Sequence, residues 1–255
     1  MRSTVLLLLA AAGMLAAAEP SYFGKWKLIP EKSDFGESTV TFAQKAAGAM
    51  EYTADARSYT FKVDGVDYPT PWGETAAWKQ IDATTWEAIH KLSGNTISTD
   101  TVKLSADGQT LTIESNGPKP AGGTFENTVV YRRVLGTAGL AGKWKTKKFN
   151  MSSPDVVELS PAKPDGMLFD SPAFGMKAEA QFDSTDCPVT GPTVAQGWTI
   201  AIKKAGPRAF EMMVKQNGKP IYQETYRVSA DGKVLTVTGS PMGVNEKYKI
   251  VYDRE

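Results

Sequence analysis

The sequence predicts an all-β protein built from two tandem antiparallel up-and-down β-barrels, each of about 115 residues and so within the usual size range of a domain. Three observations carry this prediction. The chain contains an internal repeat, its apolar residues alternate with polar ones over most of its length, and Gly, Asn and Asp turn dipeptides separate the alternating stretches.

The repeat is read from short matches in a constant order. Gly24-Lys25-Trp26 recurs as Gly142-Lys143-Trp144, Asp67-Tyr68-Pro69 as Asp186-Cys187-Pro188, and Trp86-Glu87 as Phe210-Glu211. Ser105-Ala106-Asp107-Gly108 recurs as Ser229-Ala230-Asp231-Gly232, and Tyr131-Arg132-Arg133 matches Tyr252-Asp253-Arg254. The expected division is a signal peptide over 1–18, a first barrel over 19–134, a linker over 135–140 and a second barrel over 141–255.

Taken in order, the first element is a leader. Arg2 precedes an apolar run from Val5 to Ala12, and Ala16-Ala17-Ala18 supplies a small-residue cleavage site. The apolar run is too short for a bilayer span, so the expectation is an exported chain, periplasmic or extracellular, with no membrane span after cleavage. In the first copy Tyr59, Phe61 and Val63 alternate with Ser58, Thr60 and Lys62, and in the second Met176, Ala178, Ala180 and Phe182 alternate with Lys177, Glu179 and Gln181. Such alternation puts one face on a core and the other in water. Strands follow at 86–92, 97–104, 110–114 and 124–133, with counterparts at 210–215, 221–229, 234–238 and 247–253. Gly94-Asn95, Asp107-Gly108, Asn217-Gly218 and Asp231-Gly232 sit between them as hairpin turns. One short helix is expected near 43–50, and the Pro-punctuated stretch 153–166 is expected to be a loop with a brief strand at 156–159. Sequential hairpins leave exposed edges unless the sheet closes, which favours barrels over open sheets.

Composition excludes several kinds of chemistry. Lys+Arg 29 against Asp+Glu 28 gives no basic footprint, so no nucleic-acid partner is expected. One His and one Cys exclude multi-histidine zinc sites, thiolate clusters and an intramolecular disulfide, so no metal and no cofactor are expected.

The Gly24-Lys25-Trp26 and Gly142-Lys143-Trp144 segments resemble the G-x-W signature of the lipocalins and the wider calycin barrels, and Arg133 and Arg254 resemble the arginine that packs over that tryptophan. Gly24 to Ser33 and Asp67-Tyr68-Pro69 also resemble the repeats of exported bacterial lipocalin-like proteins of uncharacterised role. The resemblance implies structural roles for Trp26, Arg133, Trp144 and Arg254, and each copy is expected to close into its own barrel, with Trp26 beside Arg133 and Trp144 beside Arg254. It further implies a cup for a small apolar or amphipathic molecule. Each copy is shorter than a typical lipocalin, which points to a shallow or filled cup.

No enzyme is expected. His90 is the single imidazole, lacks a companion nucleophile motif, and faces inward with Trp86 and Ala88; its counterpart is Val214. Asp67 and Asp186 read as turn-capping residues, and Cys187, which aligns with Tyr68, reads as a packed small side chain. The candidate ligand-binding set is therefore Tyr59, Phe61, Trp86, His90, Trp198, Phe210 and Met212, because small-molecule pockets are mostly apolar with few polar groups. His90 gives the first barrel a polar handle and makes it the favoured cup. The competing reading is a structural or interaction module of the cell envelope whose barrels are filled.

Overall fold

A computed structural model describes residues 21–152 and 155–255. The expected signal peptide lies outside the described residues. The chain forms β1 (Gly24–Leu28), β2 (Thr39–Gln44), β3 (Met50–Ala54), β4 (Arg57–Phe61), β5 (Asp67–Pro69), β6 (Thr75–Gln80), β7 (Thr85–Leu92), β8 (Asn95–Leu104), β9 (Thr110–Pro118) and β10 (Thr124–Leu135). It continues through β11 (Gly142–Met151), β12 (Val156–Ala162), β13 (Gly166–Ser171), β14 (Met176–Gln181), β15 (Cys187–Pro188), β16 (Trp198–Lys204), β17 (Ala209–Gln216), β18 (Lys219–Val228), β19 (Val234–Pro241) and β20 (Tyr248–Arg254).

These strands build two nearly closed antiparallel barrels. One sheet runs β4-β3-β2-β11-β10-β9-β8-β7-β6-β5, and the other β14-β13-β12-β1-β20-β19-β18-β17-β16-β15. Each ends in two strands consecutive in the chain. In the second sheet the seam is stitched by a bridge in which Lys177 and Thr190 exchange backbone hydrogen bonds of 2.9 and 2.8 Å. The alternation reaches the burial pattern directly: Tyr59 and Phe61 on β4 are buried between exposed Ser58 and Thr60, and Ala178 and Ala180 on β14 between exposed Lys177 and Glu179. Each barrel interior is one apolar cluster.

The barrels do not follow the repeat boundaries. The second copy's opening strand, β11, pairs with β10 and β2 and completes the first barrel, whereas β1 pairs with β12 and β20 and completes the second. The first barrel is thus the continuous segment 39–151, inserted between β1 and the rest of the second barrel. Consequently Trp26 lies under Arg254, with the guanidinium carbon 4.1 Å from the ring centroid, and Trp144 lies under Arg133 at 4.0 Å. The pairing expected from self-closing copies, Trp26 with Arg133 and Trp144 with Arg254, is corrected. Residues 135–140, read as an interdomain linker, instead fall largely within the β10–β11 hairpin connection; the chain passes between barrels at 29–38 and 152–155.

Each arginine also secures the chain that leads into the G-x-W strand. Arg254 donates to the carbonyls of Gly232, Phe23 and Ser21 at 2.7, 2.8 and 2.6 Å, and Arg133 to those of Gly108, Ala141 and Gly139 at 2.6, 2.9 and 2.6 Å. The glycine of the signature is explained by the same contact. A Cβ on Gly24 would collide with the Arg254 guanidinium, and one on Gly142 with that of Arg133.

Two local expectations change. The short helix near 43–50 is a single 3-10 turn, Ala46–Gly48, between β2 and β3. Over its described part, 155–166, the stretch expected as loop is mostly strand, because β12 runs on through Pro161 to Ala162 and pairs with β13; 153 and 154 lie outside the described residues. Pairing with β1 stops at Leu159, so Pro161 faces no neighbour on that side and its missing N–H leaves no ladder position empty. Among the described residues, no helix is long and apolar enough to cross a membrane.

Candidate functional site

The two interiors share a backbone and differ in what fills it. Tyr59 stands opposite Tyr52 and Phe61 opposite Met50, while at matching places Ala178 stands opposite Phe169 and Ala180 opposite Met167. Trp78, opposite Ala88, corresponds to Ile202, opposite Met212. In the first barrel Phe61 stacks on Trp78 with centroids 4.6 Å apart, and the Trp78 indole N–H donates to the Tyr59 hydroxyl at 2.9 Å. The first lumen is packed with rings. In the second, Tyr22 from the chain before β1 enters the core, meeting Phe210 at 5.1 Å and Phe182 at 5.8 Å. No comparable ring replaces Tyr59.

What remains is a cavity of about 420 Å³, lined chiefly by apolar residues of the second barrel such as Phe169, Met176, Met212, Val214 and Ile250. Trp72, Glu74, Leu92 and Ile97 of the first barrel complete the lining. The barrels meet around this site. Arg57 donates to the Gln216 side-chain oxygen at 3.0 Å and lies 5.0 Å from the Trp72 ring centroid, and Tyr222 donates to Asp55 at 3.3 Å. The volume falls in the range of small-molecule sites. A separate groove of about 460 Å³ is lined by polar and charged side chains including Glu37, Asp55, Lys143 and Lys247, and is a water-facing cleft between the barrels.

The polar groups differ as sharply as the apolar ones. In the first barrel His90 Nε2 lies 3.3 Å from Asp100 on neighbouring β8, and Nδ1 lies 3.8 Å from Glu74. Burial works against the imidazolium, but the hydrogen bonds and charges of Asp100 and Glu74 outweigh it and push the His90 pKa up to about 10. Glu74 is held below its ordinary value because the His90 interaction overcomes burial. His90 is therefore a partnered cation, not a free base.

The second barrel places Glu224 where the first has Asp100: each stands on the matching strand opposite Met212 or Ala88. Glu224 accepts hydrogen bonds from Tyr226 at 2.8 Å and Tyr248 at 2.5 Å, and it lines the cavity. Burial pushes its carboxyl above the usual range, although both phenols pull the other way. Where the first barrel has His90 and Glu74, the second has Val214 and Trp198. The buried Ser171 hydroxyl, 1% exposed and also in the lining, has no hydrogen-bond partner.

Of the sequence-derived ligand candidates, Trp198 and Met212 line this cavity. Tyr59, Phe61 and Trp86 belong to the packed core of the first barrel, and Phe210 is fully buried and stacked on Tyr226 at 4.5 Å. His90, expected to give the first barrel a polar handle for a ligand, is instead ion-paired with Asp100 and Glu74 inside that barrel. Sequence reasoning missed Glu224 and Ser171. Glu224 had a signal: with Tyr222, Tyr226 and Val228 it occupies the inward register of β18, where a carboxylate is out of place.

Asp67 and Asp186 do not cap turns. They pair with Lys91 at 2.9 Å and Lys215 at 2.6 Å, while Asp64 and Asp183, three residues earlier, accept the turn amides of Val66 and Thr185. Cys187 is a half-buried free thiol packed against the second core. Among the described residues, no three His, Cys, Asp or Glu side chains are grouped to hold a metal ion.

Two nearly closed antiparallel barrels with an arginine laid over a G-x-W tryptophan in each make an arrangement consistent with a lipocalin-like fold. No family model, curated protein or solved structure matches the chain.

Proposed function

We propose that this is an exported, non-enzymatic protein of the calycin type that binds a small apolar or amphipathic molecule in its second barrel. The observation that carries the reading is the 420 Å³ lumen, present in one copy of a duplicated barrel whose other copy is filled. An unfilled apolar lumen lowers stability, and a bound molecule restores the missing contacts. The first barrel acts as a packed partner that helps to close the site. An exported location rests on the leader-like segment at 1–18, and periplasmic or extracellular placement follows from that reading.

The test is fluorescence titration of the full chain with N-phenyl-1-naphthylamine, an apolar dye, against Met212→Trp. Saturable binding by the parent, weakened about tenfold or more by the bulkier side chain in the lumen, supports the proposal. Absence of saturable binding overturns it and favours a structural or interaction module.

A further inference from the structure

The two barrels treat one interior carboxylate in opposite ways, and the difference identifies the ligand's chemistry. In the first barrel Asp100 faces the imidazole of His90, which also reaches Glu74. In the second, Glu224 holds the matching position, but Val214 stands where His90 would be and the Glu74 position is taken by Trp198. Around the cavity the lining contains two carboxylates, Glu224 and Glu74, and no Lys, Arg or His. Glu74 is engaged by His90 from its own barrel, whereas Glu224 has only the phenols of Tyr226 and Tyr248. Two neutral donors orient this carboxyl, but burial disfavours its charged form, which a cation beside it would stabilise.

We infer that the second barrel takes an amphipathic amine, whose ammonium group pairs with Glu224 as His90 pairs with Asp100 in the first barrel, and whose apolar body occupies the cavity lined by Phe169, Met176, Val214 and Ile250. This rests on the proposed binding function and specifies its ligand class. Three features of the site fit such a molecule. The unpartnered hydroxyl of Ser171 adds a second polar group to the lining, free to bond a polar group of the ligand other than the ammonium that pairs with Glu224. Trp198, Phe169 and Tyr252 in the lining offer ring faces that attract a cation. Most of the remaining lining is aliphatic or thioether, suited to a hydrocarbon chain, and none of it offers a cationic partner to a carboxylate headgroup, so fatty acids are disfavoured by like charge.

The experiment compares octylamine, 1-octanol and octanoate by calorimetric titration of the full chain at pH 7.5, alongside dye binding. Octylamine is expected to bind at least about tenfold more tightly than octanol, with octanoate weakest, because a desolvated charge pair adds to the shared apolar contacts. In Glu224→Gln the amine-to-alcohol ratio should fall to near one. Val214→His, which supplies an internal cation at the His90 position, should reduce that ratio without removing the carboxylate, and guards against misfolding of the first variant. Equal affinity for amine and alcohol, or an amine preference that survives Glu224→Gln, overturns the inference. If the dye still binds saturably in that case, the binding function stands and only the ligand class falls; if neither dye nor any octyl compound binds, both fall.

Discussion

Replacing Trp26 with Ala should damage the second barrel, although the residue belongs to the first copy in sequence. Trp26 is fully buried, its indole N–H donates to the Tyr22 carbonyl at 2.9 Å, and Arg254 covers its face. Truncating a buried Trp costs about 3–5 kcal/mol, of which the lost cation–π contact is about 0.5–2 kcal/mol. Since tenfold in an equilibrium constant is about 1.4 kcal/mol, amides that exchange through opening of that barrel should lose protection by about 10²-fold to a few thousand-fold. Hydrogen exchange read by mass spectrometry resolves where this occurs. Peptides from β12, β19 and β20 should be affected far more than peptides from β9 and β10, and Trp144→Ala should give the mirror image. If Trp26→Ala deprotects β9 and β10 as strongly as β19 and β20, the strand exchange is wrong and the copies close on themselves.

Two further outcomes follow from the side-chain geometry. The His90 pKa is raised above its ordinary value, so its contribution to stability is full below about pH 6.5 and is lost as pH rises through about 10. Thermal unfolding of wild type and His90→Gln at pH 6, 8 and 10 should show a wild-type advantage that shrinks across that range; an advantage that grows with pH refutes the paired-imidazolium assignment. Arg254→Lys keeps the charge but loses the planar set of donors to Gly232, Phe23 and Ser21, and should lower stability in urea by about 1–3 kcal/mol while making the chain around Ser21 to Phe23 more sensitive to protease. An unchanged cleavage rate there would mean that these carbonyl contacts do not hold the N-terminal strand.

The strands expected over 86–133 and 210–253 and most of their turns were legible because period-two burial is a local property, whereas β2, β3, β6, β13 and β16 were not named from the sequence. The strand expected at 97–104 became β8, beginning at Asn95, and the one at 221–229 became β18, beginning at Lys219, differences confined to hairpin ends. The left-handed residues at one turn are Ser93 and Gly94, one position earlier than expected, and at its counterpart they are Asn217 and Gly218 as expected. The strand exchange was not legible. Gly24-Lys25-Trp26-Lys27 and Gly142-Lys143-Trp144-Lys145 are identical, and each barrel ends in an equivalent arginine, so no side chain distinguishes the two pairings. Connectivity decides instead. β11 follows β10 after a short connection and closes a local hairpin at little entropic cost, which leaves β1 to fill the gap between β12 and β20. The cavity was hidden for another reason. Alternation says which residues face inward, but the space they leave depends on what enters from elsewhere, as Tyr22 from outside β1 does against Phe182 and Phe210.

The comparison between copies also separates what the fold requires from what the second barrel adds. The first barrel can fill its lumen with Tyr59, Phe61 and Trp78 and neutralise its interior carboxylate with His90, so neither an empty lumen nor an unbalanced carboxylate is a consequence of the topology. Both features occur together in the second barrel, where the large residue becomes Ala178 and the cation becomes Val214. Each alone would reduce stability, the first through lost packing and the second through a desolvated charge. An ammonium group attached to a hydrocarbon body would relieve both at once. The side chain of His90, which in the first barrel occupies the place of cavity-lining Val214, therefore marks the charge of the molecule that the second barrel is suited to hold.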